Sequence, residues 1–337
     1  MRVMVWHVHG GWMDAFVRGD HEYLIPTMEN HDATGLGAGG RSWPASVREL
    51  TPGQLAEAEV DVVVLQRLEE LEASEKLLGR RLGRDLPALF VEHNAPRGDV
   101  PNSRHPLADR DDLTIVHVTH FNRLMWDCGS THTTVIEHGV PDPGELYRGD
   151  AATLGVVINE PVRRWRVTGS DLIAQFAAVA PVELFGMKTE LLVGRLGLAR
   201  DRLVVRGDLP TDELHARLSG CRAYLHPVRW TSLGLALLEA MHLGMPVVAL
   251  ATTEAYRAVP PEAGFLSTDL DELIAGVRIL MNDPAEAAAR GRAARLFALA
   301  HFGLDAFLSR WTTALDDAVS RSLRPSATAM TAMERTR

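Results

Sequence analysis

Between Leu203 and Leu250 the chain reads LVVRGDLPTDELHARLSGCRAYLHPVRWTSLGLALLEAMHLGMPVVAL. The loop Thr231, Ser232, Leu233, Gly234, Leu235 runs straight into a helical stretch. Its backbone N–H groups therefore point outward at a helix N-terminus, which suits a diphosphate. Glu239 lies about one turn inside that helix, where a carboxylate can accept charge-assisted hydrogen bonds from a vicinal diol such as ribose. The bland alternative is that Glu239 only complements the helix dipole. A second anion-type turn is His9-Gly10-Gly11, where a strand gives way to a helix and the glycines let backbone N–H groups approach a phosphate. Its alternative is a plain tight turn.

Other constellations carry less. Gly35-Leu-Gly37-Ala-Gly39-Gly40 fits the letters of a dinucleotide fingerprint, but Glu29-Asn30-His31-Asp32 precedes it and Ser42-Trp43-Pro44 follows it. A working fingerprint follows a strand and opens a helix, so the segment reads as a mobile loop. Ten of the 14 histidines fall in the first 138 residues, many at expected strand ends: His7, His9, His93, His117, His120 and His138. Ligands of doubly wound sheets bind beyond those ends, so neutral imidazoles are expected around one cleft as hydrogen-bonding groups, with His117 alternatively a core residue. The spacing of His7 and His9 is what a strand gives in any case. Asp109-Arg-Asp111-Asp112 has the letters of an acidic metal motif without a strand-end position. No metal site is expected.

These groups need a scaffold. Strand-like apolar runs at 3–9, 60–66, 87–93, 113–118 and 133–137 alternate with helical patterns at 68–78 and 120–127. Continuous apolar strands separated by helices indicate a parallel sheet buried on both faces. Asp142-Pro143-Gly144 and Arg148-Gly149-Asp150 read as a linker, after which the pattern restarts. Strands are expected at 154–159, 182–185, 202–205, 223–226 and 246–250, with helices at 171–180, from Thr211 as N-cap, at 235–243, 285–297 and 304–319. The expected fold class is α/β with two Rossmann-like doubly wound domains: 1–148, 149–303, a helix over 304–320, and a disordered tail over 321–337.

Composition narrows the function. The 337 residues are 46% hydrophobic and 23% charged, ordinary for globular domains. Residues 1–150 hold 14 Lys and Arg against 24 Asp and Glu, a net of −10; residues 151–337 hold 21 against 20. Neither half has the basic footprint of a nucleic-acid binder. The acidic first half repels anionic membranes, and the second is the better host for a phosphorylated ligand. Only two of the 35 Lys and Arg residues are lysines, Lys76 and Lys188, a bias read as codon usage. No apolar run spans a bilayer, no secretory leader is read at the start, and two cysteines build no disulfide framework. Those features predict a cytoplasmic protein.

The stretch Thr231-Ser-Leu-Gly234-Leu-Ala-Leu-Leu-Glu239-Ala-Met-His-Leu-Gly244-Met-Pro246-Val-Val-Ala resembles the signature of the retaining glycosyltransferases of family four (glycosyl transferases group 1, GT-B fold). That signature is E-G-F-G-L-x-x-L-E-A-M-A-x-G-x-P-V-V-A. Gly207-Asp-Leu-Pro210-Thr-Asp-Glu-Leu214 is similar to the family's G-x-V-P-x-x-E-L. Val91-Glu-His93-Asn94 looks like its strand-end histidine, Gly10-Gly11 like its first glycine loop, and Val135 to Val140 like its I-P-N-G-V-D segment.

The resemblance implies two Rossmann-like domains facing a cleft, with the helix near 304–319 packing back on the first. It implies transfer of a sugar from a nucleotide-diphospho-sugar donor to a small-molecule or glycan acceptor, without a metal or a resident cofactor. Ser232 to Leu235 would hold the diphosphate and Glu239 the ribose, with His93 at the transferred sugar and Gly10 and Gly11 at the phosphates. The family's Arg and Lys after the first strand of the second domain map to Arg163 and Thr168, so Arg164 or Arg166 would replace the lysine charge. Thr231 stands where the family has the first of its paired glutamates, which contacts donor-sugar hydroxyls. That departure keeps two alternatives open: a nucleotide-sugar binding protein without turnover, and a GT-B-fold nucleotide-sugar epimerase.

Overall fold

The computed structural model describes residues 1–31 and 35–322, which fall into two compact units: Met1–Gly139 with the segment from Asp305, and Val140–Leu304. Unit 1 begins β1 (Arg2–Val5), α1 (Gly10–Phe16), β2 (Glu22–Pro26), β3 (Val47–Leu50), α2 (Pro52–Glu57) and β4 (Val62–Leu65). It continues α3 (Glu69–Leu78), β5 (Ala88–Glu92), β6 (Thr114–His117), α4 (His120–Met125) and β7 (His132–Val135). All pairs in its seven-stranded sheet are parallel, in the order β3-β2-β1-β4-β5-β6-β7. β4 and β5 are buried along their whole length, as parallel strands covered on both faces must be.

The second unit repeats the plan. β8 (Ala151–Val157), α5 (Pro161–Arg164), α6 (Ile173–Ala177), β9 (Val182–Phe185), α7 (Glu190–Leu196), β10 (Leu203–Gly207) and α8 (Thr211–Leu218) come first. β11 (Cys221–His226), α9 (Leu235–Leu243), β12 (Val247–Leu250), α10 (Ala255–Ala258), β13 (Gly264–Ser267), α11 (Leu270–Asn282) and α12 (Pro284–His301) follow. Its six parallel strands run β10-β9-β8-β11-β12-β13. One core joins Leu238, Met241 and Ala294 to the sheet; another joins Ile173, Phe176, Leu273 and Val277 to it. Helices on both sides are what the uninterrupted apolar strands require.

Helix α13 (Leu304–Ser322) buries Phe307, Trp311, Leu315 and Ala318 at helical spacing. Trp311 meets Trp12 and Phe16 edge-on, with centroids 5.5 and 5.0 Å apart. Gly139 makes this approach possible, because a Cβ there would lie 2.3 Å from Cβ of Phe307.

Several expectations are corrected. The first strand stops at Val5 rather than His9. There the Trp6 indole N–H donates to Oγ of Ser74 (3.0 Å) and its carbonyl accepts from Nε2 of Gln66 (2.6 Å), which draws the chain out of the ladder. β2 and β3 were not expected: the apolar run of EYLIP is only three residues before a proline, and VREL has none. Thr211 is the first helical residue of α8; the N-cap is Pro210, whose carbonyl accepts from Leu214 (2.8 Å). The helix expected over 171–180 is a 3₁₀ turn at Ser170–Leu172 followed by α6. The linker and the boundary after residue 148 fall inside unit 2. Tyr147 and Arg148 donate backbone N–H groups to Leu243 (3.0 Å) and Ser219 (2.9 Å), and Asp142 pairs with Arg295 (2.8 Å). Of the expected tail, Arg321 and Ser322 end α13, and residues 323–337 lie outside the described residues.

Candidate active site

In unit 2 the strand order reverses between β8 and β11, the switch point at which doubly wound sheets bind ligands. The loops leaving those strands are bound to each other. The N–H groups of Arg229 and Trp230 donate to the carbonyl of Val167 (2.9 and 3.2 Å), and Oγ1 of Thr252, in the loop after β12, donates to that of Val228 (2.7 Å). The β11 loop passes through half-buried Thr231 and turns Ser232 and Leu233 inward. Gly234 is the N-cap of α9, and no side chain caps that nine-residue helix. The N–H of Leu237 donates to the Gly234 carbonyl (3.0 Å), which leaves those of Leu235 and Ala236 as the kind of first-turn donors an anion completes. Gly234 is required here: a Cβ would meet Cε1 of the buried His226 ring at 2.9 Å. Glu239 is the fifth residue of α9, with a side chain 23% exposed. Gly207 closes β10 in the left-handed region (φ +76°), and its carbonyl accepts from the N–H of Gly186 (2.8 Å).

The cations at this sheet edge are arranged differently from the sequence reading. Arg163 pairs with Glu160, and Nζ of Lys188, just beyond β9, donates to the same carboxylate (2.8 Å). Hydrogen bonds from Arg163 and then Lys188 hold the Glu160 carboxyl down at about 2. Arg166 pairs with Asp171 (3.1 Å), and Arg229 grips Asp171 through two bonds of 2.5 and 2.9 Å. Burial pushes the Asp171 carboxyl up, but the Arg229 bonds and the nearby charges outweigh it and leave it below its ordinary range. Four cations thus share two carboxylates, an excess of two positive charges. Thr168, expected in the lysine position, is buried; its hydroxyl lies 2.8 Å from that of Ser170 and donates to the carbonyl of Trp165 (3.2 Å). Lys188 and Arg229 were missed because neither falls in the loop after β8. Arg229, two residues before Thr231, is the one that nearness in sequence could have flagged.

Unit 1 gathers a different group at its own carboxyl edge. The rings of His9 and His93 lie 4.1 Å apart, and Trp12 stands edge-on to His93 at 5.3 Å. Nε2 of His93 lies 2.9 Å from Oε1 of Gln66, whose amide is fixed by Trp6 and by Sδ of Met13. His138 is buried beside them, with Nδ1 lacking a hydrogen-bond partner. Burial, then the neighbouring imidazoles, hold His93 well below its ordinary value. His138 is pushed down to about 4 by burial and His9, and His9 to about 4 by burial and Arg67. All three are therefore neutral near pH 7 and can exchange hydrogen bonds with hydroxyls. Gly10 and Gly11 are the first two residues of α1, and the Arg41 guanidinium lies against Gly10 while pairing with Asp14. Arg41 was missed because it follows the glycine run read as a loop. The described part of that run, 35–40, is made of turns rather than a strand-to-helix fingerprint: Nδ1 of His7 lies 2.8 Å from the Gly37 carbonyl, and Leu36 bridges Thr27 antiparallel. His117 is fully buried, as the core alternative for it allowed, with Nε2 3.6 Å from Sγ of Cys128. The sequence-predicted residues therefore divide: Gly10, Gly11 and His93 in unit 1, and Arg163, Arg166, Gly207, Thr231 to Leu235 and Glu239 in unit 2.

An uncapped helix start at a switch point, followed by a carboxylate one turn in, offers anion donors and a hydroxyl acceptor side by side. Residues 172–283 match the family model of glycosyl transferases group 1. That segment takes in the loops after β9 to β12 and the whole of α9, and begins beyond Arg163 and Arg166. Among solved structures, sucrose-phosphate synthase from Thermosynechococcus elongatus is similar at 15% identity and a TM-score of 0.72, over 96% of this chain and all of that one. Anabaena HepE in complex with UDP and glucose aligns at 14% identity and a TM-score of 0.68, over 94% and 99%. A glycosyltransferase from Rickettsia africae aligns at 12% identity and a TM-score of 0.68, over 94% and 98%. No curated protein matches the chain. The fold is GT-B, and the matched segment supports glycosyl transfer as its chemistry.

Proposed function

We propose that this chain transfers a sugar from a nucleotide-diphospho-sugar to a soluble small-molecule or glycan acceptor, with retention of anomeric configuration. The observation that carries the reading is the uncapped N-terminus of α9 at the β8/β11 switch point, with Glu239 one turn inside it. In this reading the N–H groups of Ser232 to Leu235 bind the diphosphate and Glu239 accepts from the ribose hydroxyls. Arg163, Arg166, Lys188 and Arg229 supply the positive field. Charge builds on the diphosphate as the sugar–oxygen bond breaks, and donors already oriented toward that charge stabilise the transition state more than the ground state. No covalent protein nucleophile is invoked. His93 contributes a neutral imidazole for a sugar hydroxyl, and Gly10 and Gly11 present backbone N–H groups beside Arg41. No metal or resident cofactor is assigned a step, and the two free cysteines suit a cytoplasmic setting.

The complex of HepE with UDP and glucose makes a uridine donor the first to try. A nucleotide-sugar binding protein without turnover is the second reading, favoured by Thr231, whose hydroxyl gives a sugar weaker hydrogen bonds than a carboxylate. Thermal unfolding with UDP, GDP and ADP tests the ligand class. A diphosphate that binds the native state alone adds about 2.7 kcal/mol at a hundredfold excess over its Kd. A raised Tm with one of the three is expected; unchanged melting with all of them would defeat the reading.

A further inference from the structure

One buried group in unit 2 has no role in the reading so far. His215, on α8, is 7% exposed, and its Nε2 is buried without a hydrogen-bond partner. A buried polar atom left unpaired destabilises the fold, so such atoms ordinarily have a partner, and each exception calls for an explanation. The group facing it is Oε2 of Glu239, 3.8 Å away. That gap exceeds the ~2.7–3.2 Å of a direct N–H···O bond. Two atoms at that separation can both be reached by one bridging hydroxyl oxygen once the His215 ring turns its buried nitrogen toward the ligand. The chemistry is complementary as well. A carboxylate only accepts, so the hydroxyl hydrogen goes to Oε2, and the hydroxyl oxygen keeps lone pairs for an N–H on Nε2.

We propose that His215 and Glu239 together form the ribose site, one hydroxyl of the diol donating to Oε2 of Glu239 and accepting from Nε2–H of His215. This rests on the assignment of Glu239 to the ribose. The consequence is discrimination: a site built to bond a hydroxyl rejects the analogue lacking it, because its buried polar atom is then left unpaired. His215 thereby distinguishes ribonucleotides from deoxyribonucleotides, which a histidine that merely steadies Glu239 would not do.

The test is calorimetric titration of the full chain with UDP, GDP and ADP, each beside its 2′-deoxy and 3′-deoxy forms. The wild type, His215→Ala and His215→Gln are compared. The wild type is expected to prefer the ribonucleotide over one deoxy form by about tenfold or more, the scale of one buried hydrogen bond. His215→Ala should bring that ratio within about threefold by weakening the ribonucleotide alone. His215→Gln, whose amide can donate, should restore part of it. Equal weakening of ribo and deoxy forms in His215→Ala, or a ratio unchanged in both variants, would overturn the proposal while leaving the nucleotide site standing. Binding of no diphosphate by the wild type would overturn the site and this proposal with it.

Discussion

Glu239 is the residue on which the nucleotide reading turns. Removing its carboxylate with Glu239→Ala should weaken the preferred nucleoside diphosphate by about 1.5–3 kcal/mol, the range for hydrogen bonds to a charged group. The far-ultraviolet spectrum should be unchanged, because the side chain is partly open to solvent at the sheet edge. Unaltered affinity in calorimetry would take Glu239 out of the site. The imidazoles make a separate prediction. Burial holds His9, His138 and His226 neutral down to about pH 4, while the unfolded chain protonates them near 6.5. Between those values the unfolded state binds more protons, so stability falls as the pH drops from about 6.5 toward 4. The loss is on the order of 2 kcal/mol per imidazole at pH 4.5. Urea midpoints should decline over that range, and the double variant His9→Asn/His138→Gln should flatten the decline. A wild-type midpoint constant between pH 7 and 4.5 would contradict this.

Two glycines decide how elements meet. In Gly234→Ala the new Cβ would press on the His226 ring, which is buried and cannot swing clear. Overpacking of this kind costs about 1–3 kcal/mol. The strain falls on the turn that opens α9, so diphosphate affinity should drop along with Tm. Full affinity in a destabilised Gly234→Ala protein would separate that turn from the ligand. In Gly139→Ala the Cβ would strike Cβ and Cγ of Phe307, so α13 should dock poorly and unit 1 should melt earlier. The elements around the unit 2 site were legible in the sequence because their apolar runs are continuous: α9 over 235–243 was readable to the residue, and β12 to within one. β3 and β13 were not, since a short edge strand such as VREL carries no period and the FLS of β13 is too brief to register; α11 has the helical period in LDELIAGVRILMN and was overlooked. The cation arrangement was illegible for a different reason. Arg229 and Lys188 reach Asp171 and Glu160 across 58 and 28 residues of sequence, a pairing set by which strands lie side by side.

The whole molecule carries its charge unevenly, and two further expectations follow. If, as proposed, the excess of cations over carboxylates at the unit 2 sheet edge offsets the charge of the departing diphosphate, transfer should survive EDTA. Loss of activity on chelation, restored by Mg²⁺ or Mn²⁺, would move charge neutralisation to a metal. With a net of −10 over residues 1–150, the chain should not co-sediment with anionic liposomes at low salt. Among the described residues no helix is long and apolar enough to cross a membrane. Salt-sensitive sedimentation mapping to that region would place the acceptor on a lipid. The claim that unites residue, element and fold is turnover of a nucleotide-sugar. It is tested most directly by following UDP-, GDP- and ADP-sugars with the purified chain and an acceptor panel by proton NMR. Release of one nucleoside diphosphate, with the sugar appearing in a product of unchanged anomeric configuration, is the predicted result. A donor that binds yet stays intact, or that returns as its epimer, would contradict it.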